Sequence, residues 1–576
     1  MKLILSYIRR HLRMFLTAIF FLSVETFADL LQPTFMAHVV DDGVKGQDIA
    51  AILRYGAVML AIAATGAVGA VLRNRYASKT SQQIGKELRG DMYRKVQTLS
   101  FENVDRLQPA AIITRITNDV TQIQNFVNGT MRIMMKVPIT LVGAVILILV
   151  QTPRLFPVVA VIVTVSVVLI LANMKLGYPR YGRLQQKLDK LNTVSREFLS
   201  SVRVVKAFGA ENEEKEKFSD AAEGFARSGI SATRVLAIFS PLINLTVNFA
   251  IVILLWISQA QPAGQIGRLM ASVNYMTQVL FALSMISNIL NSSVRALASA
   301  ERVQKIFDEE PAQKTAPDTL HPQIRGSVSF QDVSFSYAGA SGNGLSHITF
   351  DALPGETIGI IGPTGSGKSS LVNLVPRFYD ATGGKVLVDG CDVTMLAPEE
   401  LRKSVAVVPQ KALLFSDTIA GNLRWGDSAA TDKTVQEAAC AACADEFICR
   451  LPQKYETSLG QGGVNLSGGQ KQRLSLARAL LRKPRILILD DCTSALDAST
   501  EAQVLQNLRS ATGSATVLLI SQRISTVMRA DKIICLEEGE LRGFGTHRQL
   551  MDICPAYRAI YASQIGADDE EKGGVL

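Results

Sequence analysis

Six apolar stretches lie in the first 290 residues, at roughly 14–36, 54–72, 133–150, 156–173, 236–257 and 269–290. Crossing the hydrocarbon core takes about 20 mostly apolar residues in a helix. There every backbone N–H and C=O must be paired inside the protein, so apolar runs of this length are expected to fold as helices. Their spacing is uneven. The turn Gln151-Thr152-Pro153-Arg154 joins the third stretch to the fourth, and short segments join the first to the second and the fifth to the sixth. The polar segments 73–132 and 174–235 are long.

Charge orients this pattern. Between residues 73 and 130 lie nine basic residues, Arg73, Arg75, Lys79, Lys86, Arg89, Arg94, Lys95, Arg106 and Arg115, and 174–235 holds twelve. The short connections carry Lys45, Arg154 and Arg268, and the N-terminus carries Lys2, Arg9 and Arg10. The positive-inside rule puts the N-terminus, both long segments and the C-terminus in the cytosol. Apolar residues at three- and four-residue spacing within 73–132 and 174–235 predict helices that extend the membrane helices into the cytosol.

Two carboxylates fall inside the first stretch. Glu25 and Asp29 are four apart and so share one helix face. Carboxylates at that depth are costly and face a wet cavity or a partner, which makes the pair a candidate site for cationic substrates or for a proton; the alternative is a structural pair capped by another helix. Asn244 and Asn248, with the same spacing in the fifth stretch, are expected to hydrogen-bond between helices.

A chain of 576 residues exceeds one compact core. The net charge of +9 does not point to nucleic acid, because no dense basic run with interleaved aromatics appears. No cleaved signal peptide is read at the start. All seven cysteines lie at or after Cys391, an odd number within one soluble region, which indicates a reducing cytosol rather than disulfides. Cys440, Cys443 and Cys449 are read as small buried side chains rather than zinc ligands, having no histidine nearby. Residues 1–308 are thus a transmembrane domain, 309–325, with three prolines, a linker, and 326–576 a soluble domain. The tail 567–572 reads as a solvated end.

The soluble domain carries Gly362-Pro363-Thr364-Gly365-Ser366-Gly367-Lys368-Ser369, the full phosphate-binding loop pattern. It follows the apolar strand 357–361 and opens a helix beginning with Ser370, the context the motif requires. Glycines let backbone N–H groups wrap phosphates, and the helix N-terminus adds its dipole. Lys368 is expected on the β- and γ-phosphates of ATP and the Ser369 hydroxyl on Mg²⁺. The strand 486–490 ends in Asp490, placed to present a carboxylate to the same Mg²⁺. A second anion site, Leu466-Ser467-Gly468-Gly469-Gln470, precedes an amphipathic stretch.

With these motifs in order the chain resembles the ABC exporter family along its whole length. The resemblance implies a half-transporter of the type IV fold: a six-helix all-α transmembrane domain followed by an α/β P-loop nucleotide-binding domain. It implies that Tyr337 stacks on adenine and that Gln410 touches Mg²⁺ and senses the membrane domain. Residues 457–463 resemble the cross-linking loop, with Gln461 where an acidic residue is commoner, and Ser494-Ala495-Leu496-Asp497 the loop joining two sites across a dimer. Two such domains close head to tail in this family, so Leu466 to Gln470 would serve the partner's ATP.

Two positions depart from the family. Asp491 stands where a glutamate polarises the attacking water and falls short by one methylene, about 1.5 Å. Gln522 stands where a histidine faces the γ-phosphate; it donates a hydrogen bond but carries no imidazolium charge. Both drifts beside an intact phosphate loop predict a site that binds without turning over, and a heterodimer whose homologous partner brings the glutamate and histidine. Glu25-Thr26-Phe27-Ala28-Asp29-Leu30-Leu31-Gln32-Pro33 resembles the bacterial multidrug branch. The expected role is export of hydrophobic, drug-like compounds across a bacterial inner membrane, in contact with membrane lipids and without nucleic acid. A lipid flippase and an ATP-gated channel are the alternatives.

Overall fold

The computed structural model describes residues 1–153, 156–258, 266–313, 320, 323–340 and 342–573. Arg154 of the expected turn, and 314–319 and 321–322 of the expected linker, lie outside the described residues. The chain forms two units: Met1–Gln97 with Ala110–Asp308, and Thr98–Pro109 with Glu309–Leu576.

The first unit is helical. Its long helices are α1 (Leu12–His38), α2 (Ile49–Gln97), α3 (Lys136–Gln151), α4 (Phe156–Phe208), α5 (Glu211–Ser258) and α6 (Ile266–Phe307). Because α2, α4 and α5 run on past their apolar stretches, much of 73–132 and 174–235 is helix continuous with a span. Among the described residues five helices are long and apolar enough to cross a membrane, within 12–44, 49–97, 109–151, 160–208 and 211–253. The sixth expected stretch, 269–290, lies inside α6. Small residues bring α1 and α2 together: a Cβ on Gly69 would stand 3.3 Å from the Glu25 nitrogen and the Phe21 oxygen.

Asn244 and Asn248 do not follow the expectation. Both are exposed, and Asn248 Nδ2 donates to the Asn244 carbonyl, 2.9 Å away on the same helix.

The second unit is built on a ten-stranded sheet ordered β5-β4-β1-β2-β10-β9-β3-β8-β7-β6. The strands are β1 (Val328–Phe335), β2 (Leu345–Ala352), β3 (Thr357–Ile361), β4 (Gly383–Val388), β5 (Cys391–Asp392), β6 (Val405–Val408), β7 (Ile486–Asp490), β8 (Thr516–Ile520), β9 (Lys532–Glu537) and β10 (Glu540–Gly545). β3, β8, β7 and β6 pair in parallel. Their near-continuous apolar runs are covered on both faces, as parallel strands require. Gly359 pairs with Leu519 and Leu489 with Leu519, so the carboxyl ends of β3, β8 and β7 lie side by side. Ligands bind at that edge of an open α/β sheet.

Residues 98–109, expected in a cytosolic loop of the membrane domain, fold with the second unit. Asn103 Nδ2 donates to Glu309 Oε1 (2.8 Å) and to the Glu310 carbonyl (2.9 Å), Tyr379 donates to Asp105 Oδ2 (2.5 Å), and the Phe101 and Phe378 rings meet at 4.6 Å.

Candidate active site

The phosphate loop runs from the end of β3 into the short helix α7 (Lys368–Leu374). Gly367 sits at φ 92°, and a Cβ there would stand 2.6 Å from the Gly344 carbonyl, so no side chain fits. The buried Lys368 ammonium donates to the carbonyls of Gly362 (2.8 Å) and Pro363 (2.6 Å) and reaches Ser366 Oγ at 3.5 Å. Burial pulls its pKa below the usual lysine value, against the charges of Asp491 and Asp490.

Ser369 Oγ donates to Asp490 Oδ1 at 3.0 Å. One hydroxyl and one carboxylate at this separation are a donor set that suits Mg²⁺, which binds through few protein oxygens and substrate phosphates. Burial pushes the Asp490 carboxyl up, the Ser369 hydrogen bond opposing it. The Ser370 and Tyr337 hydroxyls meet at 3.0 Å, leaving the Tyr337 ring half-exposed beside Tyr379.

Asp491 directly follows β7 and is buried, with its backbone left-handed at φ 45°. Two amides converge on one oxygen: Gln410 Nε2 lies 3.1 Å and Gln522 Nε2 3.4 Å from Asp491 Oδ2. Burial raises this carboxyl too, against the Gln410 hydrogen bond. A cleft of about 300 Å³ is lined by Tyr337, Thr364, Gly365, Gly367, Lys368, Ser369, Ser370, Gln410, Asp490, Asp491 and Gln522. Gly362, Pro363 and Ser366 belong to the loop but do not line the cleft.

The segment from Leu466 to Gln470 does not line this cleft. It opens α8 (Gly468–Leu481) with a capping box: Ser467 Oγ accepts from the Gln470 nitrogen, and Gln470 Oε1 accepts from the Ser467 nitrogen. Gln472, which motif reading passed over, ties this helix to the loop after β7. Its Oε1 accepts from the Ala495 nitrogen (3.1 Å) and its Nε2 donates to Ser494 Oγ (3.4 Å). The only signal for it in the sequence is its position one turn into α8.

Glu25 and Asp29 share one face of α1, and both carry cationic partners. Arg73 Nε lies 2.6 Å from Glu25 Oε2, and Lys136 Nζ lies 2.9 Å from both Glu25 Oε1 and Asp29 Oδ2. Glu25 and Arg73 are buried; the Asp29 side chain is 49% exposed. Of the three cysteines expected to be buried, Cys440 and Cys449 are exposed and Cys443 is half-buried; Cys449 Sγ lies 3.6 Å from Asp445 Oδ1.

Residues 15–283 match the family described as ABC transporter transmembrane region, and 345–494 the family described as ABC transporter. ABC transporter ATP-binding protein YfiB of Bacillus subtilis is 35% identical over 574 residues, covering 99% of this chain and 100% of YfiB. This chain belongs to the ABC transporter family. The ABC transporter is also 32% identical to the ATP-dependent lipid A-core flippase of Pseudomonas aeruginosa over 518 residues, covering 89% of this chain and 85% of the flippase. A solved bacterial Atm1-family ABC exporter with ATP bound superposes with a TM-score of 0.81 at 26% identity, over 96% of this chain and 99% of that one. The transporter is an ATP-driven exporter with a helical membrane domain and an ABC nucleotide-binding domain.

The phosphate-loop cradle, Lys368 and the Ser369–Asp490 pair suit Mg-ATP. The pKa shifts narrow the working range from both ends. Asp490 must be ionised to ligate Mg²⁺, and its raised pKa makes affinity fall on acidification from a higher pH than an ordinary aspartate gives. Lys368 must be charged to hold phosphate, and its lowered pKa makes affinity fall at alkaline pH sooner than an ordinary lysine gives. Equilibrium binding of a fluorescent ATP analogue to the full chain across pH, with Mg²⁺ present, is expected to show both shoulders; without Mg²⁺ the acid shoulder should shrink.

Proposed function

We propose that this chain is the low-turnover subunit of a heterodimeric exporter in a cell inner membrane, with its nucleotide-binding domain in the cytosol, moving hydrophobic or amphipathic compounds outward. The supporting observation is the Asp491 carboxylate, which is one methylene short, buried, and covered on one oxygen by the neutral amides of Gln410 and Gln522. Tyr337, the phosphate loop, Ser369 and Asp490 retain what binding requires: a ring face, backbone donors, an ammonium and an oxygen pair. When bound, Mg²⁺ supplies charge neutralisation for the phosphates. Asp491 would polarise the attacking water weakly, and Gln522 adds no positive charge. The first test is the Mg-ATPase rate of the full chain alone; brisk, drug-stimulated turnover would sink the reading.

In this reading Ser467, Gly468 and Gly469 serve the partner's site. Ser467→Arg is expected to leave nucleotide binding by the chain's own loop unchanged. Co-expressed with a homologous subunit that carries the glutamate and histidine, it should cut turnover by roughly 10²-fold, as loss of a preorganised donor does. Equal losses of binding and turnover would count against a role in trans.

The substrate class has two readings. Asp29, half-exposed, is the carboxylate within reach of a cationic compound, in competition with Lys136, while Glu25 is already closed off by Arg73. That charge balance equally favours a lipid, as moved by the Pseudomonas aeruginosa relative. Efflux of a cationic dye from inverted vesicles against headgroup flipping in proteoliposomes separates them.

A further inference from the structure

Asp491 and Gln522 belong to different loops, and a residue outside both ties them together. The loop after β7 holds Asp491 and runs through Thr493 to Asp497, which caps helix α9 (Ala498–Thr512). The loop after β8 holds Gln522 and Arg523 and enters the short helix α10 (Ile524–Val527). Glu501 lies in the first turn of α9 and is buried. Its Oε1 accepts from Thr493 Oγ1 and Thr526 Oγ1, each at 2.8 Å, and its Oε2 accepts from Arg523 Nη1 at 2.5 Å. One carboxylate therefore spans both loops, two residues beyond Asp491 on one side and one residue beyond Gln522 on the other.

We propose that Glu501 is the positioning residue that couples these two loops, so that the carboxylate position at 491, the amide position at 522 and the 494–497 loop keep one relative geometry. Three donors converge on it, and only a carboxylate offers acceptors to all three without a donor of its own. A buried carboxylate also requires full hydrogen bonding and a cationic partner; Thr493, Thr526 and Arg523 provide both. Its place at the start of α9 is favourable to negative charge. The phosphate loop lies outside this set of bonds: Lys368 is held by Gly362 and Pro363. The coupling should therefore act on turnover and not on nucleotide capture, whether the site is slow or brisk.

The test is Glu501→Gln in the full chain. The new amide would turn a donor toward Arg523 and release that tie. Backbone hydrogen exchange is expected to rise in 491–497 and 521–527 together and to stay unchanged in 362–369. Fluorescent-ATP affinity should hold, while kcat falls at unchanged KM by about 10-fold or more, since misplacement of ~1 Å costs on the order of 10²-fold. Where the wild-type rate is too low to divide, kcat is read in the Asp491→Glu, Gln522→His background, so silence of the native site does not decide the matter. Thr493→Val removes one arm only and is expected to loosen 491–497 alone; it decides the question if Glu501→Gln does not fold. Unchanged exchange in both loops, a rise spread through the whole nucleotide-binding domain, or a loss of nucleotide affinity equal to the loss of kcat would overturn the proposal.

Discussion

Replacing Asp491 with Glu and Gln522 with His in one chain is expected to raise its Mg-ATPase rate by roughly 10²-fold or more. Two costs are removed at once. Extending the carboxylate by one methylene restores reach, and a ~1 Å misplacement of a reacting group costs on the order of 10²-fold. Restoring an effective general base is typically worth roughly 10²–10⁴-fold. The two changes should be strongly non-additive, as for residues that act as a unit. Asp491 and Gln522 already touch, at 3.4 Å, so the single substitutions disturb one another's partner. Gln410 remains as a second amide on the same carboxylate, so Asp491→Glu alone should recover only part of the gain. Steady-state phosphate release from detergent-purified chain, for wild type, both single variants and the double variant, checks the expectation. A double variant no faster than a silent wild type would remove these two positions as the reason for silence.

Arg73→Met is expected to be the most damaging single substitution in the membrane domain. It leaves the buried Glu25 with Lys136 alone, and breaking a buried ion pair by removing one partner costs about 3–5 kcal/mol. Glu25→Gln together with Arg73→Met should recover most of that loss, because no unpaired charge then remains. Asp29→Asn is the control. Its side chain is 49% exposed, and an exposed pair is worth only about 0–1 kcal/mol. Thermal melting of the detergent-purified chain, read by size-exclusion recovery, should rank wild type, Asp29→Asn and the double variant close together and Arg73→Met well below. Equal losses for Arg73→Met and the double variant would mean that the Arg73 side chain matters for packing rather than for charge.

The parts of this chain legible in the sequence are those whose chemistry is contiguous. The loop from Gly362 to Ser369 declares its strand, its helix and its phosphates in one run, and Asp490 closes an apolar strand. Thr364, Gly365, Gly367, Lys368 and Ser369 of that run line one cleft with Asp490. Contacts made across the fold were not legible. The spacing of Glu25 and Asp29 gave their shared face, yet the cations that neutralise them come from α2 and α3. Nothing in local sequence says which of 22 basic residues in two polar segments, or Lys136 outside them, turns inward. Asn244 and Asn248 had the spacing of an interhelical pair, but spacing does not choose between a neighbouring helix and the carbonyl four residues back, and Asn248 took the carbonyl. Residues 98–109 read as part of the helical cytosolic extension of the membrane domain because their partners, Glu309, Glu310 and Tyr379, are over 200 residues away. Glu501 was passed over for the same reason: its role is set by Thr493, Thr526 and Arg523 together, and only the packing of β7 beside β8 brings these to one carboxylate.

The folded-back Lys368 bears on discrimination among the anions of a crowded cytosol. Its ammonium already has two carbonyl oxygens at 2.8 and 2.6 Å. A chloride or a single inorganic phosphate would have to draw it away from both while engaging few of the loop's N–H groups. A chain of phosphates engages many of them together and so offsets that exchange. Exchanging these two carbonyls for ligand oxygens therefore favours a ligand that engages many N–H groups at once over a small anion.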